Sequence, residues 1–153
     1  MNAFVPKIFY KNRGLFLLTI GAGVLLAATL EGCKKDKDRI PDVLVDIYVS
    51  PTEPGYTDLN TPGGYVNIVG GSRGILVYRR SLDEFLAYDR HCPYQPSSSC
   101  ARVEVDSTGI QAHDACCGST FLLLDGSVVS GPSGLPLKQY QTYFDGTWVH
   151  ITN

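Results

Sequence analysis

Four cysteines between residues 92 and 117 carry the clearest chemical signal in this sequence. Cys92 and Cys100 lie in one segment, and the adjacent residues Cys116 and Cys117 lie in a second one. Thiols at this density either form disulfides, which persist outside the cytoplasm, or bind a soft metal as thiolates. Their even number permits complete pairing, but the order of the residues does not select the partners. We therefore expect the chemistry of the protein to lie in these two segments.

Two imidazoles accompany the thiols, since His91 precedes Cys92 and His113 precedes the second segment. A structural zinc site would need Cys92, Cys116, Cys117 and one histidine, but adjacent cysteines rarely fit one tetrahedron and no Cys-x-x-Cys pair exists. A Cys–His hydrolase would need a histidine oriented by a third group, which an adjacent His–Cys pair does not establish. The sequence also lacks a glycine-rich phosphate loop and a metalloprotease helix. These classes are therefore poorly supported.

Residues 1–32 have the organisation of a targeting segment. Basic residues precede an uncharged apolar run from Gly14 to Leu30, and Cys33 opens a charged stretch. This pattern resembles a bacterial lipoprotein signal peptide, which implies cleavage before Cys33 and lipidation of its thiol. The alternative is a permanent signal-anchor helix with an incidental cysteine.

The lipoprotein interpretation divides the chain into a signal peptide (1–32), a lipidated cysteine with a polar tether (33–42) and one domain (43–153). It places the protein outside the cytoplasm, lipid-anchored to a bacterial membrane. The formal net charge of -2 and the isoelectric point near 5.8 leave no broad basic surface. We therefore expect a membrane attachment and no nucleic-acid partner.

The rest of the sequence is typical of short β-strands, because brief runs of branched and aromatic residues alternate with Gly, Pro and Asp-Gly turns. Residues 70–73 and the pairs Asp125-Gly126 and Asp145-Gly146 are the predicted hairpin connections. The predicted strands are 43–49, 65–69, 74–79, 84–88, 101–105, 120–124, 128–129, 139–144 and 147–151. This spacing predicts an all-β fold, a small antiparallel sandwich or barrel.

The two cysteine segments and the motifs after them resemble the Rieske iron–sulfur family. In that family a Cys-x-His box precedes a Cys-x-x-His-Gly-Ser-x-Phe box, and a Leu-Asp-Gly hairpin and a Gly-Pro-x-x-x-Pro-Leu loop follow. The matching stretches here are Gly118-Ser119-Thr120-Phe121, Leu124-Asp125-Gly126 and Gly131-Pro132-Ser133-Gly134-Leu135-Pro136-Leu137. The resemblance covers residues 64 to 152 and implies a Rieske-like β domain.

The resemblance also implies a 2Fe-2S cluster, in which two thiolates hold one iron and two imidazoles hold the other. The ligand positions that it assigns are Cys92, Tyr94, Asp114 and Cys117, of which only Cys92 is an unaltered ligand. His91 and His113 each stand one residue from a ligand position and are the alternative imidazole ligands. One residue reverses the side-chain direction in an extended segment, so their use depends on the loops.

Respiratory members of the family carry a disulfide between the two cluster loops, and Cys100 and Cys116 match its positions by resemblance. Such a bridge contributes about 3 kcal/mol in the chain-entropy estimate. Cys92 and Cys117 would then remain on opposite loops, free to form a second bridge where the cluster would sit.

Two functions stay open at this point. The altered ligands favour a cluster-free domain that is stapled by disulfides and contacts a protein or glycan partner. The alternative is a one-electron carrier with an atypically ligated 2Fe-2S centre and an unknown redox partner. Neither is an enzyme by itself, because one domain of this size leaves no room for the catalytic domain of a ring-hydroxylating oxygenase. At most the chain is an electron-transfer component.

Overall fold

A computed structural model describes residues 38–153 of the chain. The predicted signal peptide and the lipidation site Cys33 lie outside these described residues. Within them, no helix has the length and apolar character needed to cross a membrane.

Residues 38–153 form ten short strands and one 3-10 helix, Thr57–Asn60. The strands are β1 (Asp46–Val49), β2 (Tyr65–Ile68), β3 (Ile75–Arg79), β4 (Phe85–Asp89), β5 (Glu104–Val105), β6 (Gln111–His113), β7 (Thr120–Leu122), β8 (Val128–Ser130), β9 (Gln139–Phe144) and β10 (Val149–Thr152). They build a six-stranded sheet in the order β1-β10-β9-β4-β3-β2 and a four-stranded sheet in the order β5-β6-β7-β8. Every strand pairing described is antiparallel. The all-β antiparallel prediction is confirmed.

The three predicted hairpin connections join the strands as expected. Residues 70–73 link β2 to β3, Asp125-Gly126 links β7 to β8, and Asp145-Gly146 links β9 to β10. Gly126 and Gly146 have φ angles of 74° and 96°, which an L side chain rarely adopts. The Asp-Gly pairs therefore predicted these turns for a local steric reason.

Two strand predictions were wrong in the region between the cysteines. The predicted strand 101–105 is reduced to β5, Glu104–Val105, and Arg102 forms an isolated bridge with His91 instead. The sequence analysis missed β6 entirely, because only Ala112 of its three residues is buried and no alternation marks it. Both errors lie where the strands are too short to carry a periodic signal.

Two cores share the strands β3 and β4, which are buried on both faces. The first core uses Ile75, Val77, Phe85 and Ala87 from these strands and lies against the rest of the six-stranded sheet. The second core uses Leu76, Tyr78, Leu86 and Tyr88 and lies against the four-stranded sheet. Cys92 belongs to the second core and is fully buried there. The candidate ligand Cys92 is thus part of the second core.

Candidate functional site

Two loops carry the predicted site residues. The first site loop, residues 90–102, follows β4, and the second site loop, residues 114–119, connects β6 to β7. The second is a tight reversal, since the N–H of Asp114 donates to Ser119 O at 2.9 Å and the N–H of Gly118 donates to Asp114 O at 2.8 Å. Gly118 allows the turn because its φ is 78°. The reversal presents the side chains of residues 114 and 117 from one short segment.

A disulfide joins the two site loops. Cys100 and Cys116 are bonded, with their Cα atoms 5.7 Å apart, so the bridge implied by the resemblance is confirmed. Cys92 and Cys117 are free thiols, and their sulfurs lie 3.7 Å apart. The second bridge considered in the sequence analysis is therefore not formed in this structure, although its two sulfurs are neighbours.

Three of the four predicted ligand positions converge. The donor atoms of Cys92, Asp114 and Cys117 all lie within 4.8 Å of one another. We call these three residues the thiol–carboxylate cluster. The Cys117 Sγ donates to Asp114 Oδ2 at 3.4 Å, and the other oxygen, Oδ1, accepts the N–H of Cys116 at 2.8 Å. One carboxylate oxygen thus anchors Asp114 to its own loop and the other faces the thiols.

Serine and glycine residues fix the position of Cys117. The N–H of Ser119 donates to Cys117 Sγ at 3.4 Å, and Ser119 Oγ lies 3.1 Å from the same sulfur. Ser119 Oγ also accepts the N–H of Ser133 at 3.1 Å, so the loop 131–137 packs on the second site loop. A Cβ on Gly131 would lie 2.5 Å from Ser119 Cα, so only glycine permits this close approach.

The thiol of Cys92 is held in its neutral form. Burial raises the pKa of Cys92 well above the ordinary thiol value, and its hydrogen bond with Asp114 adds to the increase. The backbone N–H of Tyr94 opposes this change by hydrogen bonding to the sulfur. A Cys92 thiolate without a cation beside it is therefore unfavourable at neutral pH.

The two histidines are directed elsewhere. His91 is buried, and its ring contacts Ser72 Oγ at 2.8 Å and Pro96 O at 2.7 Å. Burial lowers the pKa of His91. His113 is exposed, and its Nδ1 contacts Thr120 Oγ1 at 3.1 Å. Within residues 38–153, the structure brings neither ring into the thiol–carboxylate cluster.

Tyr94, the remaining predicted ligand position, is half-buried and packs against the second core. The backbone N–H of Tyr94 lowers the pKa of Cys92 and so opposes the effect of burial. We assign the Tyr94 side chain a packing role in the second core.

These donors do not fit the cluster that the resemblance implies. A Rieske centre needs two imidazoles on one iron, and both nearby imidazoles have other partners. By resemblance Cys92 and Cys117 stand at ligand positions of different irons. Their sulfurs are nevertheless only 3.7 Å apart, a separation that suits two ligands of one ion. The donor set of the described residues thus differs from that of a Rieske centre both in ligand type and in the separation of its sulfurs.

The sequence analysis missed Asp89, a buried carboxylate at the end of β4. Its oxygens accept the N–H groups of Ser72 at 2.7 Å, Arg73 at 3.2 Å and His91 at 2.9 Å, and the hydroxyl of Tyr140 at 2.7 Å. Asp89 thereby ties the β2–β3 hairpin and β9 to the start of the first site loop. An acidic residue that ends a fully apolar run was the available signal.

Arg73 is a second residue that the sequence analysis did not identify. Its guanidinium donates to four carbonyl groups of the first site loop, at Pro96 (3.4 Å), Ser98 (2.5 Å), Ser99 (2.9 Å) and Ala101 (3.0 Å). The loop therefore has its shape set by a side chain from the opposite hairpin. No local feature of the sequence indicates this, because the residues are about two dozen positions apart.

Comparisons with known proteins give low similarities. No protein-family model and no curated protein matches the chain. Among solved structures, it is similar to the ferredoxin of carbazole 1,9a-dioxygenase from Nocardioides aromaticivorans IC177 at 17% identity, covering 72% of this chain and 98% of that one, with a TM-score of 0.46. A Sphingomonas yanoikuyae B1 ferredoxin matches at 19% identity, over 58% and 84% of the two chains, with a TM-score of 0.41. The Escherichia coli protein NirD matches at 18% identity, over 72% and 96%, with a TM-score of 0.42. None of these values assigns the chain to a family.

Proposed function

We propose that this chain is a Rieske-like domain that works without a two-iron cluster. In this proposal a lipid on Cys33 tethers it outside the cytoplasm, and its site loops contact a protein partner. The observation that carries the cluster-free assignment is the position of the two imidazoles. His91 is hydrogen-bonded between Ser72 and Pro96, and His113 is hydrogen-bonded to Thr120, so neither faces Cys92.

Protein interactions hold the two site loops in place. The Cys100–Cys116 disulfide joins them, and Arg73 and Asp89 hold the first loop against the six-stranded sheet. Loops on a rigid scaffold are a common location for recognition surfaces. Leu135, which is 62% exposed, lies on the loop that packs against the second site loop. These features favour a preformed contact surface at this end of the domain.

The disulfide also supports the extracytoplasmic location. Disulfides persist in oxidising compartments and are rare in a reducing cytoplasm. The resemblance of residues 1–33 to a lipoprotein signal points to the same side of the membrane. Labelling with a fatty-acid precursor tests the anchor, since the Cys33→Ser variant should lose the label that the unaltered chain takes up. Equal labelling of both would contradict the lipidation site.

One observation favours the second candidate, an electron carrier with an atypical cluster. Cys92, Asp114 and Cys117 present three donor atoms to one point, which an unrelated binding module has no need to do. The two candidates differ in what they require of inorganic sulfide, because only a 2Fe-2S centre contains it.

The deciding experiment is a measurement of iron and sulfide on the full chain. The chain is purified in detergent without oxygen, before and after incubation with iron and sulfide, and its visible spectrum is recorded. We expect no sulfide and no thiolate-to-iron absorption beyond the level of a Cys92→Ser/Cys117→Ser double variant. Two irons and two sulfides per chain, lost in that variant, would overturn the cluster-free assignment.

A crosslinking experiment tests the contact surface. A photoreactive amino acid replaces Ser97, an exposed residue of the first site loop, and in a control it replaces Asp83, which is exposed on the β3–β4 connection. We expect a crosslinked protein only from position 97 when the chain is in its native cells. Crosslinks from position 83 alone, or from neither position, would contradict the site loops as the contact surface.

A further inference from the structure

We propose that the thiol–carboxylate cluster of Cys92, Asp114 and Cys117 binds one zinc ion. This inference rests on the proposed function, because the same loops cannot hold a two-iron cluster and a single ion in one place. It differs from the zinc site weighed in the sequence, which used Cys116 and a histidine. Cys116 is occupied by its disulfide with Cys100.

The distances between the donor atoms match the edges of one coordination tetrahedron. Two thiolates at about 2.3 Å from a tetrahedral zinc ion stand about 3.8 Å from each other, and a thiolate and a carboxylate oxygen stand about 3.5 Å apart. The Cys92 and Cys117 sulfurs lie 3.7 Å apart, and Cys117 Sγ lies 3.4 Å from Asp114 Oδ2. Two of the three donor separations thus match the edges around a single tetrahedral ion, and the third, between Cys92 Sγ and the Asp114 carboxylate, is within 4.8 Å.

Hydrogen bonds hold each donor in the orientation that a metal needs. Asp114 is oriented through its Oδ1, which accepts the N–H of Cys116 and leaves Oδ2 directed at the thiols. The Cys117 sulfur accepts the N–H of Ser119, and the Cys92 sulfur is held in the second core 3.7 Å from the Cys117 sulfur. Backbone donors to a metal-bound thiolate or carboxylate are a typical outer shell, which orients the ligands before the ion arrives.

The burial of the cluster explains why it needs a cation. Cys92 and Asp114 are both fully buried, and within residues 38–153 the Asp114 carboxylate forms its side-chain hydrogen bonds with the Cys116 N–H and the Cys117 thiol, neither of which is a cation. Zinc supplies the missing positive charge, and each thiol releases its proton to solvent as its sulfur binds. No electron transfer is involved.

The donor set also selects the kind of metal. Two soft thiolates exclude magnesium and calcium as preferred ions, and zinc accepts thiolate and carboxylate ligands in the same site. Three protein ligands leave a fourth position. Cys117 is the one ligand that is partly exposed, so we expect water as the fourth ligand on its side.

Cobalt is the probe for the test, because Co2+ reports thiolate ligation and tetrahedral geometry in its absorption spectrum. The full chain is purified in detergent without oxygen, and the free thiols of Cys92 and Cys117 are verified by alkylation and peptide mapping of one portion. A second portion, not alkylated, is titrated with Co2+ and then with Zn2+. We expect a sulfur-to-cobalt charge-transfer band that saturates at one ion per chain and disappears when zinc displaces cobalt.

Matched variants assign the signal to the three residues. Asp114→Asn keeps an oxygen for the Cys116 N–H but replaces the ligand oxygen with an amide, so cobalt affinity should fall at least about tenfold. Cys117→Ser should abolish the charge-transfer band of the second sulfur. Because Cys117 is half-buried and Cys92 is fully buried, we expect Cys117→Ser to disturb folding less than Cys92→Ser. His113→Gln should bind cobalt as the unaltered chain does.

Several results would overturn the proposal. Cobalt that binds without a charge-transfer band, or that binds equally well to Cys117→Ser, is not at this cluster. A Cys92–Cys117 disulfide found by peptide mapping in the anaerobic protein would remove the ligands. If the chain instead assembles two irons with two sulfides, this inference and the cluster-free assignment fail together. If it binds neither cobalt nor iron, only the zinc inference fails.

Discussion

The two cores of this domain are stabilised in different ways. The first core is formed by apolar side chains from β-strands of up to six residues, with one buried residue, Leu59, from the 3-10 helix. The second core is covered by strands of two or three residues and by loops, and it includes the thiol of Cys92. Short strands make few ladder hydrogen bonds, so the site region depends on a disulfide and on side-chain hydrogen bonds to the backbone. The comparison shows that the site region is held by a disulfide and by side-chain hydrogen bonds to loop backbone, whereas the first core is held by apolar burial and longer strands, with side-chain hydrogen bonds such as that of Thr142 to Phe85 O as an addition.

The largest expected effect comes from Asp89, which lies where the two regions meet. The Asp89→Ala variant leaves the buried donors of His91 and Tyr140 and the partly buried N–H of Ser72 without this acceptor. Each unsatisfied buried donor costs about 1–3 kcal/mol, so we expect a loss of about 3–5 kcal/mol in the free energy of unfolding. Urea denaturation of the full chain measures it, and Asp83→Ala, at an exposed position, is the control. A change below about 1 kcal/mol, as ordinary surface substitutions give, would show that this network does not join the regions.

The next effect is that of the disulfide, which only the site region contains. The Cys100→Ser/Cys116→Ser variant should lose about 3 kcal/mol, because the unfolded chain regains the freedom of the loop. Denaturation with and without reductant measures it. The reductant should destabilise the unaltered chain by the same amount and leave the variant unchanged. If the double variant unfolds with the same free energy as the oxidised chain, the disulfide does not stabilise the site region, and this difference between the two regions does not exist.

A smaller and more local effect is expected at Arg73. Lysine keeps the charge in Arg73→Lys but lacks the planar fork that reaches several carbonyl groups, so about 1–3 kcal/mol should be lost. Hydrogen exchange should rise in residues 95–101 while β9 and β10 stay protected. Arg80→Lys, at an exposed ion pair with Glu84, is the control. Faster exchange across both sheets would contradict a local role.

The smallest effect tests a feature that the two regions share, their Asp-Gly hairpins. Hydrogen bonds from Ser127 lower the pKa of Asp125, and the backbone N–H groups of Trp148 and Thr147 lower the pKa of Asp145. Each ionised carboxylate therefore stabilises the folded state at pH values above about 3.9, the pKa of an aspartate in the unfolded chain. This contribution is lost as the pH falls through the lower pKa of the folded state. A chemical-shift titration should give both groups pKa values below 3.9. An unshifted pKa at only one of the two aspartates would show that the two turns do not stabilise their carboxylates alike.

Much of the fold could be predicted because its signals are local. The Asp-Gly turns and the runs of β3, β4 and β9 were recognised from neighbouring residues, since turn sterics and strand periodicity act over a few positions. The short strand β6 was missed for the same reason, because three residues with one buried side chain carry no period. Prediction succeeded where an element was long enough to show a pattern.

The candidate site was predicted in part. The residue types and the resemblance identified Cys92, Asp114, Cys117 and the Cys100–Cys116 pair, and the structure brings these groups together. The directions of His91 and His113 were not predictable, because their hydrogen-bond partners Ser72 and Thr120 come from other segments. Asp89 and Arg73 also act through partners far away in the sequence, such as Tyr140 and Ser99.

The sequence by itself determined the turns, most of the strands and the positions of the thiols along the chain. Only the tertiary structure decided that the Cys92 and Cys117 sulfurs lie 3.7 Å apart, across 25 positions of sequence, with a carboxylate oxygen beside them. The physical reason is that turns and strands follow from steric preferences of adjacent residues. The separation of two side chains on different loops follows from packing and hydrogen bonds throughout the second core, which no short stretch of sequence contains.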